Sequence, residues 1–202
     1  MISVPGIRRS NQARAMLLGY LAFSALYLGS GTLHLVRPTT LVPGAIDAAI
    51  PLVDWTVWIY LSQFLLLPGA IAFARDDTDR SQTFYAMLLA AVVAALIFLA
   101  WPTTMARQTP ATDGLTGLAW RLLHFADPPA NCFPSLHVAL AVIAARALWR
   151  RGAFILATGW PILIAGSTLS TRQHVAADIV GGLLLAALAL WLTPRMLRLD
   201  PA

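Results

Sequence analysis

Uncharged apolar stretches, each close to the length that crosses a bilayer, alternate along the chain with short charged clusters. A hydrocarbon core about 30 Å thick needs about 20 apolar residues per helix. That length predicts helices over residues 15–35, 55–74, 82–102, 152–171 and 174–193; His34 alone interrupts the first, and the last carries one aspartate, Asp178. A shorter run over 134–150 ends near Arg146, Arg150 and Arg151, whose long side chains can snorkel to an interface and hold a further helix there. The first run is too long for a removable signal peptide and lacks a small-residue cleavage pattern, so it is expected to remain as an anchor. The predicted fold is all-α: a polytopic membrane protein with six transmembrane helices in one bundle, a single domain over residues 1–202.

Arginine placement gives the orientation, because cytoplasmic loops retain positive charge during insertion. One set of helix ends holds Arg8, Arg9, Arg14, Arg75, Arg80, Arg146, Arg150, Arg151, Arg195 and Arg198; the other holds only Arg37, Arg107, Arg121 and Arg172. Ten against four puts both termini in the cytoplasm, and the alternation requires the short helix at 134–150. The segment 103–133 then lies outside. In it Leu115, Leu118, Leu122 and Phe125 recur at helical spacing, with Arg121, His124 and Asp127 on other faces, which predicts a short interfacial helix on the outer leaflet.

Composition agrees. The chain is 58% hydrophobic and only 11% charged, against about 25% charged residues in a soluble domain, which excludes an ordinary soluble fold. All the charge is carried by 14 Arg and 9 Asp. The net charge of +5 does not indicate nucleic acid, since the arginines are scattered among apolar runs. The single cysteine, Cys132, excludes an intramolecular disulfide and a cysteine-built metal site, and reads as a small apolar residue. No metal and no other cofactor is expected.

The four histidines, His34, His124, His137 and His174, all map to the outer side. His34, His124 and Arg37 read as interfacial residues. His174 and Asp178 are four residues apart, so on a helix they share a face and the carboxylate can hold the imidazole; an aspartate inside a membrane is costly unless paired. His137 follows Pro134, which suits the first turn of a helix whose free backbone donors can meet an anion. Arg172 and Arg107 on the same side favour a phosphate group. Ser135 either donates to that phosphate or caps its helix.

Pro134-Ser135-Leu136-His137, followed after 37 residues by His174-Val175-Ala176-Ala177-Asp178, resembles the second and third motifs of the type 2 phosphatidic acid phosphatase superfamily. The Pro-Ser-Leu-His form, the Gln173-His174 pair, Ile50-Pro51-Leu52, Tyr60-Leu61-Ser62 and Trp101-Pro102-Thr103 are similar to its inositolphosphotransferase branch, which includes the aureobasidin-resistance and inositol phosphorylceramide synthase proteins. The likeness extends over roughly residues 45–185. The chain departs from the phosphatase pattern at Thr168, where the third motif has its arginine, at Leu136, and in lacking the lysine of the first motif. Arg37-Pro38 lies too early for that motif and reads as a helix stop. The resemblance implies a metal-independent reaction: His174 attacks the phosphorus of a lipid phosphoester, Asp178 fixes its tautomer, and His137 protonates the leaving oxygen and then activates the acceptor. Arg172, Arg107 and Ser135 would bind phosphate.

The function expected is therefore a lipid phosphotransferase working through a phosphohistidine, on a phospholipid or lipid phosphate at the outer face of a bacterial plasma membrane. Its acceptor would be a second lipid or a polyol. A lipid phosphate phosphatase, with water as acceptor, is the alternative; a haem-binding membrane protein or an anion or lipid transporter are the non-enzymatic ones.

Overall fold

The computed structural model describes residues 1–33, 35–127 and 129–200. In chain order the elements are β1 (Ile2–Val4), α1 (Gln12–Thr32), β2 (Thr39–Thr40), α2 (Ala45–Ala49), a 3-10 turn (Asp54–Thr56), α3 (Val57–Leu61) and α4 (Gln63–Ala72). There follow α5 (Asp77–Ala100), β3 (Thr103–Thr104), α6 (Gly114–Ala126), α7 (Leu136–Arg151), α8 (Phe154–Ser170), α9 (Ala176–Met196) and β4 (Leu197–Leu199). His34, read above as interfacial, lies outside the described residues.

Among the described residues four units are long and apolar enough to cross a membrane: α1, the stretch Asp54–Ala72, α5 and α9. Within Asp54–Ala72 the helix is parted at Ser62. There the Ser62 hydroxyl donates back to the Ile59 carbonyl at 2.5 Å, and Pro68, inside α4, has no N–H for the carbonyl one turn earlier. α7 and α8, with 16 and 17 residues, reach about 24–26 Å and are shorter than a straight span. Among the described residues, four of the six predicted helices therefore have full spanning length, and α7 and α8 are the two short ones.

Caps account for the shifted boundaries. α5 begins five residues before the predicted start because the Asp76 carboxylate accepts from Asp79 N at 2.8 Å, with Asp77 and Asp79 in the first turn where the helix dipole favours negative charge. Ser135 is the N-cap of α7, which leaves Pro134 before the helix rather than in its first turn. Gly152 closes α7 at φ 92°, a left-handed position suited to glycine, and so belongs to the turn rather than to the next helix.

The amphipathic helix is present as α6, but its two faces do different things. Leu115, Leu118, Leu122 and Phe125, the predicted stripe, are exposed. Trp120 and Leu123 are buried with Val57 and Tyr60 of α3. Two short parallel pairings, β1 with β4 and β2 with β3, add to the all-α expectation.

Polar ties fix the bundle's two ends. At one, β1 pairs with β4, Ile7 N donates to Ser81 at 2.7 Å, and Asp79 meets Arg146 at 3.3 Å and Arg150 at 2.9 Å. Both terminal strands, the start of α5 and the ends of α7 and α9 thus sit together. The starts of α7 and α9 meet at the opposite end. Between them the core is lined by small residues, Ala86, Ala90 and Ala94 of α5, Ala139 and Ala144 of α7, Ala186 and Ala189 of α9, which let helices approach closely. Large apolar side chains such as Leu17, Leu65, Leu96, Ile155 and Leu184 face outward, as a surface in lipid requires.

Candidate active site

Two helix starts build the site. Asp178 lies in the first turn of α9, where its Oδ2 accepts from Val175 N at 3.0 Å and so caps the helix. The same oxygen meets His174 Nδ1 at 3.2 Å. Asp178 is fully buried, so the cap and the imidazole are what hold its charge. Holding Nδ1 leaves Nε2 of His174 as the nitrogen for chemistry.

α7 brings His137 to this place. Gly181 and Gly182 of α9 press on its start: a Cβ on Gly182 would lie 2.5 Å from the Ser135 carbonyl oxygen, and one on Gly181 would lie 2.6 Å from the Phe133 ring. Ser135 N donates to the Asp178 carbonyl at 3.0 Å in the same contact. The rings of His137 and His174 end 5.7 Å apart, centre to centre. Before α7, Thr103 holds the approach: its hydroxyl accepts from Phe133 N at 2.7 Å and its carbonyl from Cys132 N at 3.1 Å. The Trp101-Pro102-Thr103 turn therefore supports the loop that leads to His137.

The arginines sit close by and are engaged. Arg107 donates from Nη1 to the Asp127 carbonyl at 2.6 Å and from Nη2 to its carboxylate at 3.1 Å. Arg172, at φ 54°, turns the chain between α8 and α9 and donates from Nη1 to Asp47 O at 2.6 Å and from Nη2 to Ile50 O at 2.5 Å. Ser135 accepts from Val138 N at 3.4 Å, the capping half of the two readings, and keeps its own hydroxyl proton to donate. Thr168, at the position of the motif arginine, is fully buried, and its hydroxyl donates to Ala165 O at 2.7 Å.

Three neighbours are given no role at the site by the sequence, although Tyr60 stands in the Tyr60-Leu61-Ser62 likeness and Asp127 is placed on a face of the interfacial helix. Tyr60, on α3, stands 3.2 Å from His137 Nδ1 through its hydroxyl and 3.4 Å from Asp127 Oδ2; Tyr27, on α1, donates to Asp127 Oδ1. Nothing local shows that they converge, because α1, α3 and the end of α6 meet only in the folded chain. His124 is also nearer than its surface reading implied: Gln173 Nε2 donates to its Nε2 at 3.5 Å. Partial burial, then the Arg107 charge, holds His124 below the usual imidazole range, which suits a neutral acceptor.

A cavity of about 310 Å³ opens from His137, Tyr60, Tyr27 and Asp127 onto Phe23, Leu61, Phe64 and Leu140. A second, of about 300 Å³, shares Tyr20, Phe23, Gln63, Phe64 and Leu140 with it and continues past Leu67, Met87 and Leu88. Together they form a trough between α1 and α4, polar at the histidine end and apolar beyond. Leu123 of α6 lines the same cavity and is buried with Trp120 over α3, and Gln173 and His174 are 1% and 4% exposed. Among the described residues no group of three or more His, Cys, Asp or Glu side chains is gathered as metal ligands.

No curated protein and no solved structure matches the chain at a significant level. The family model of the PAP2 superfamily matches residues 32–192, from the end of α1 into the last turns of α9. That match spans most of the chain and contains His137, His174, Asp178 and the helix starts that bring them together, and on it the chain belongs to the PAP2 superfamily.

Proposed function

We propose that this PAP2 protein is an integral-membrane lipid phosphotransferase. It moves a phosphoryl-linked group from a phospholipid to a second lipid or polyol hydroxyl through a phosphohistidine on His174. The observation that carries the reading is the held pair His174–Asp178 with His137, which lines the polar end of an apolar trough, 5.7 Å away.

The steps follow from the residues. The Nε2 lone pair of His174 attacks phosphorus, the bond to the departing lipid oxygen breaks, and that oxygen takes a proton from His137. Asp178 stabilises the imidazolium. The acceptor hydroxyl then loses its proton to His137 and attacks phosphorus as the N–P bond breaks. Leu136 N and His137 N, at the start of α7, are the helix donors for the phosphoryl oxygens, because Val138 N meets Ser135 and, at α9, Val175 N meets Asp178 and Ala176 N meets Asp47 at 2.7 Å. Ser135 donates its hydroxyl. Arg107 and Arg172 complete the set, each by exchanging one of its present contacts.

Charge balance favours a phosphodiester. Two arginines, Arg107 and Arg172, stand among three aspartates, Asp127, Asp178 and Asp47, so the side chains bring no excess of positive charge for the two charges of a phosphomonoester, and the single charge of a diester costs less to hold. Closure by α6 and an opening onto apolar residues favour a lipid acceptor over water. Six crossings, with α7 and α8 as short spans, put the termini in the cytoplasm and the site at the outer leaflet, where the exposed stripe of α6 lies in lipid. The parallel pairing of β1 with β4 supports termini on one side.

The test is product partition. With a labelled phospholipid donor and rising concentrations of diacylglycerol, ceramide or inositol-bearing lipid, label is expected to move to a new lipid. Label that always ends in released phosphate or a released head-group phosphate refutes the transferase reading and leaves a lipid phosphatase.

A further inference from the structure

Each histidine of the site is held at Nδ1, by different means. For His174 the partner is the Asp178 carboxylate at 3.2 Å. For His137 it is the Tyr60 hydroxyl at 3.2 Å, with the two rings packed at 4.3 Å, and behind that hydroxyl stands Asp127 Oδ2 at 3.4 Å. Asp127 is itself fixed: Tyr27 donates to Oδ1, and Arg107 donates to Oδ2 and to the backbone carbonyl. Tyr60 is 1% and Asp127 7% exposed, so these contacts are largely shielded from bulk solvent.

The donor count gives the chain a direction. A carboxylate only accepts, and its charge makes it the stronger acceptor, so the one hydroxyl proton of Tyr60 goes to Asp127. The Tyr60 oxygen then faces His137 with a lone pair. His137 must carry a proton on Nδ1, and Nε2 is left as the nitrogen that gains and loses one. When Nε2 is protonated, the cation is stabilised through Tyr60 by the Asp127 charge.

We infer that Tyr60 and Asp127 are positioning residues for His137, fixing its tautomer and stabilising its protonated form, as Asp178 does for His174 but with a phenol inserted. The inference rests on the proposed acid–base role of His137. In the step concerned, the Nε2–H bond of His137 breaks and its proton goes to the departing oxygen, which also keeps the electron pair of the broken P–O bond. The lone pair of His174 makes the new N–P bond.

Two donors that differ only in the departing group isolate this step. Dodecyl 4-nitrophenyl phosphate and didodecyl phosphate leave the same dodecylphosphoryl group on His174. 4-Nitrophenolate departs without a proton, whereas dodecanol needs one. Single-turnover labelling of the purified full chain by each donor, made with radioactive phosphorus, is the readout. Tyr60→Phe is expected to label from the nitrophenyl donor within about threefold of wild type, and from didodecyl phosphate at least about tenfold more slowly. Asp127→Asn, checked for folding by its thermal midpoint, should repeat the pattern. Equal slowing with both donors, as a packing defect would give, or no slowing with didodecyl phosphate, overturns the inference. Wild-type protein that takes no label, or label that survives His174→Ala, overturns the phosphohistidine reading itself and is seen without any Tyr60 variant.

Discussion

Replacing Gly182 by alanine tests whether the contact between α7 and α9 sets the distance between the histidines. The new Cβ would stand 2.5 Å from the Ser135 carbonyl oxygen and 3.0 Å from Val138 Cβ, where ordinary contact begins at 3.4 Å. The first obstacle is backbone, so the helices must part by roughly 0.9 Å. Overpacking of this kind costs about 1–3 kcal/mol. The Ser135 N to Asp178 O bond lies in the same contact, and its loss costs about 1 kcal/mol, while the helix preference of alanine returns a similar amount. The net is a loss of about 1–3 kcal/mol. Because Ser135 and Asp178 each stand within four residues of a histidine of the site, a parting of that size should lower turnover by about 10²-fold. Gly159→Ala and Gly166→Ala in α8 are controls, since nothing lies within 4 Å of their added Cβ; they should keep activity and stand level or gain up to about 1 kcal/mol. Thermal unfolding midpoints in detergent and initial rates of label transfer, taken from the same preparations, decide it. A Gly182→Ala protein that matches the controls in both would refute the reasoning.

His174→Ala should abolish enzyme labelling while the protein stays folded, and Asp178→Asn should lose about 10²–10⁴-fold through the wrong tautomer; a labelled His174→Ala chain, or a rate that a chelator abolishes, contradicts the mechanism. Reporter fusions after residue 112 and at the carboxyl terminus are expected on opposite sides of the membrane, and finding them on one side would remove the odd crossing between. Cys132 is 1% exposed, and burial, helped by the Asp178 charge, pushes its thiol up to about 12, so at pH 8 only about one in 10⁴ is thiolate. Iodoacetamide should therefore spare native protein and modify it in dodecyl sulfate; rapid native labelling would show the loop before α7 to be open.

Much of the local structure was legible. The apolar runs anticipated α1, α5, α8 and α9 to within a few residues at most ends, and the largest error, the start of α5, sits where a side chain outside the apolar run, Asp76, caps the helix. Four-residue spacing anticipated the contact between His174 and Asp178 but not its cause: His174 lies before α9, Val175 is extended at the N-cap, and the Asp178 carboxylate reaches back over the cap to His174 Nδ1. The stripe of α6 was seen but not its other face, because the buried Trp120 and Leu123 are polar-flanked positions whose partner, α3, is more than fifty residues away. The engagement of Arg172 with the carbonyls of Asp47 and Ile50 had no local sign either.

What the sequence determined by itself is what short stretches of chain settle alone: apolar runs long enough for lipid, an aspartate four residues after a histidine at a helix start, and motifs that mark a family. These follow from backbone geometry and the solvent, so they need no partner. Only the tertiary structure decided how near His137 comes to His174, that two glycines of α9 permit it, and that Tyr60, Tyr27, Arg107 and Asp127 converge behind His137. Those contacts join segments up to a hundred residues apart, where no periodicity carries information and the outcome depends on the shapes of both surfaces at once.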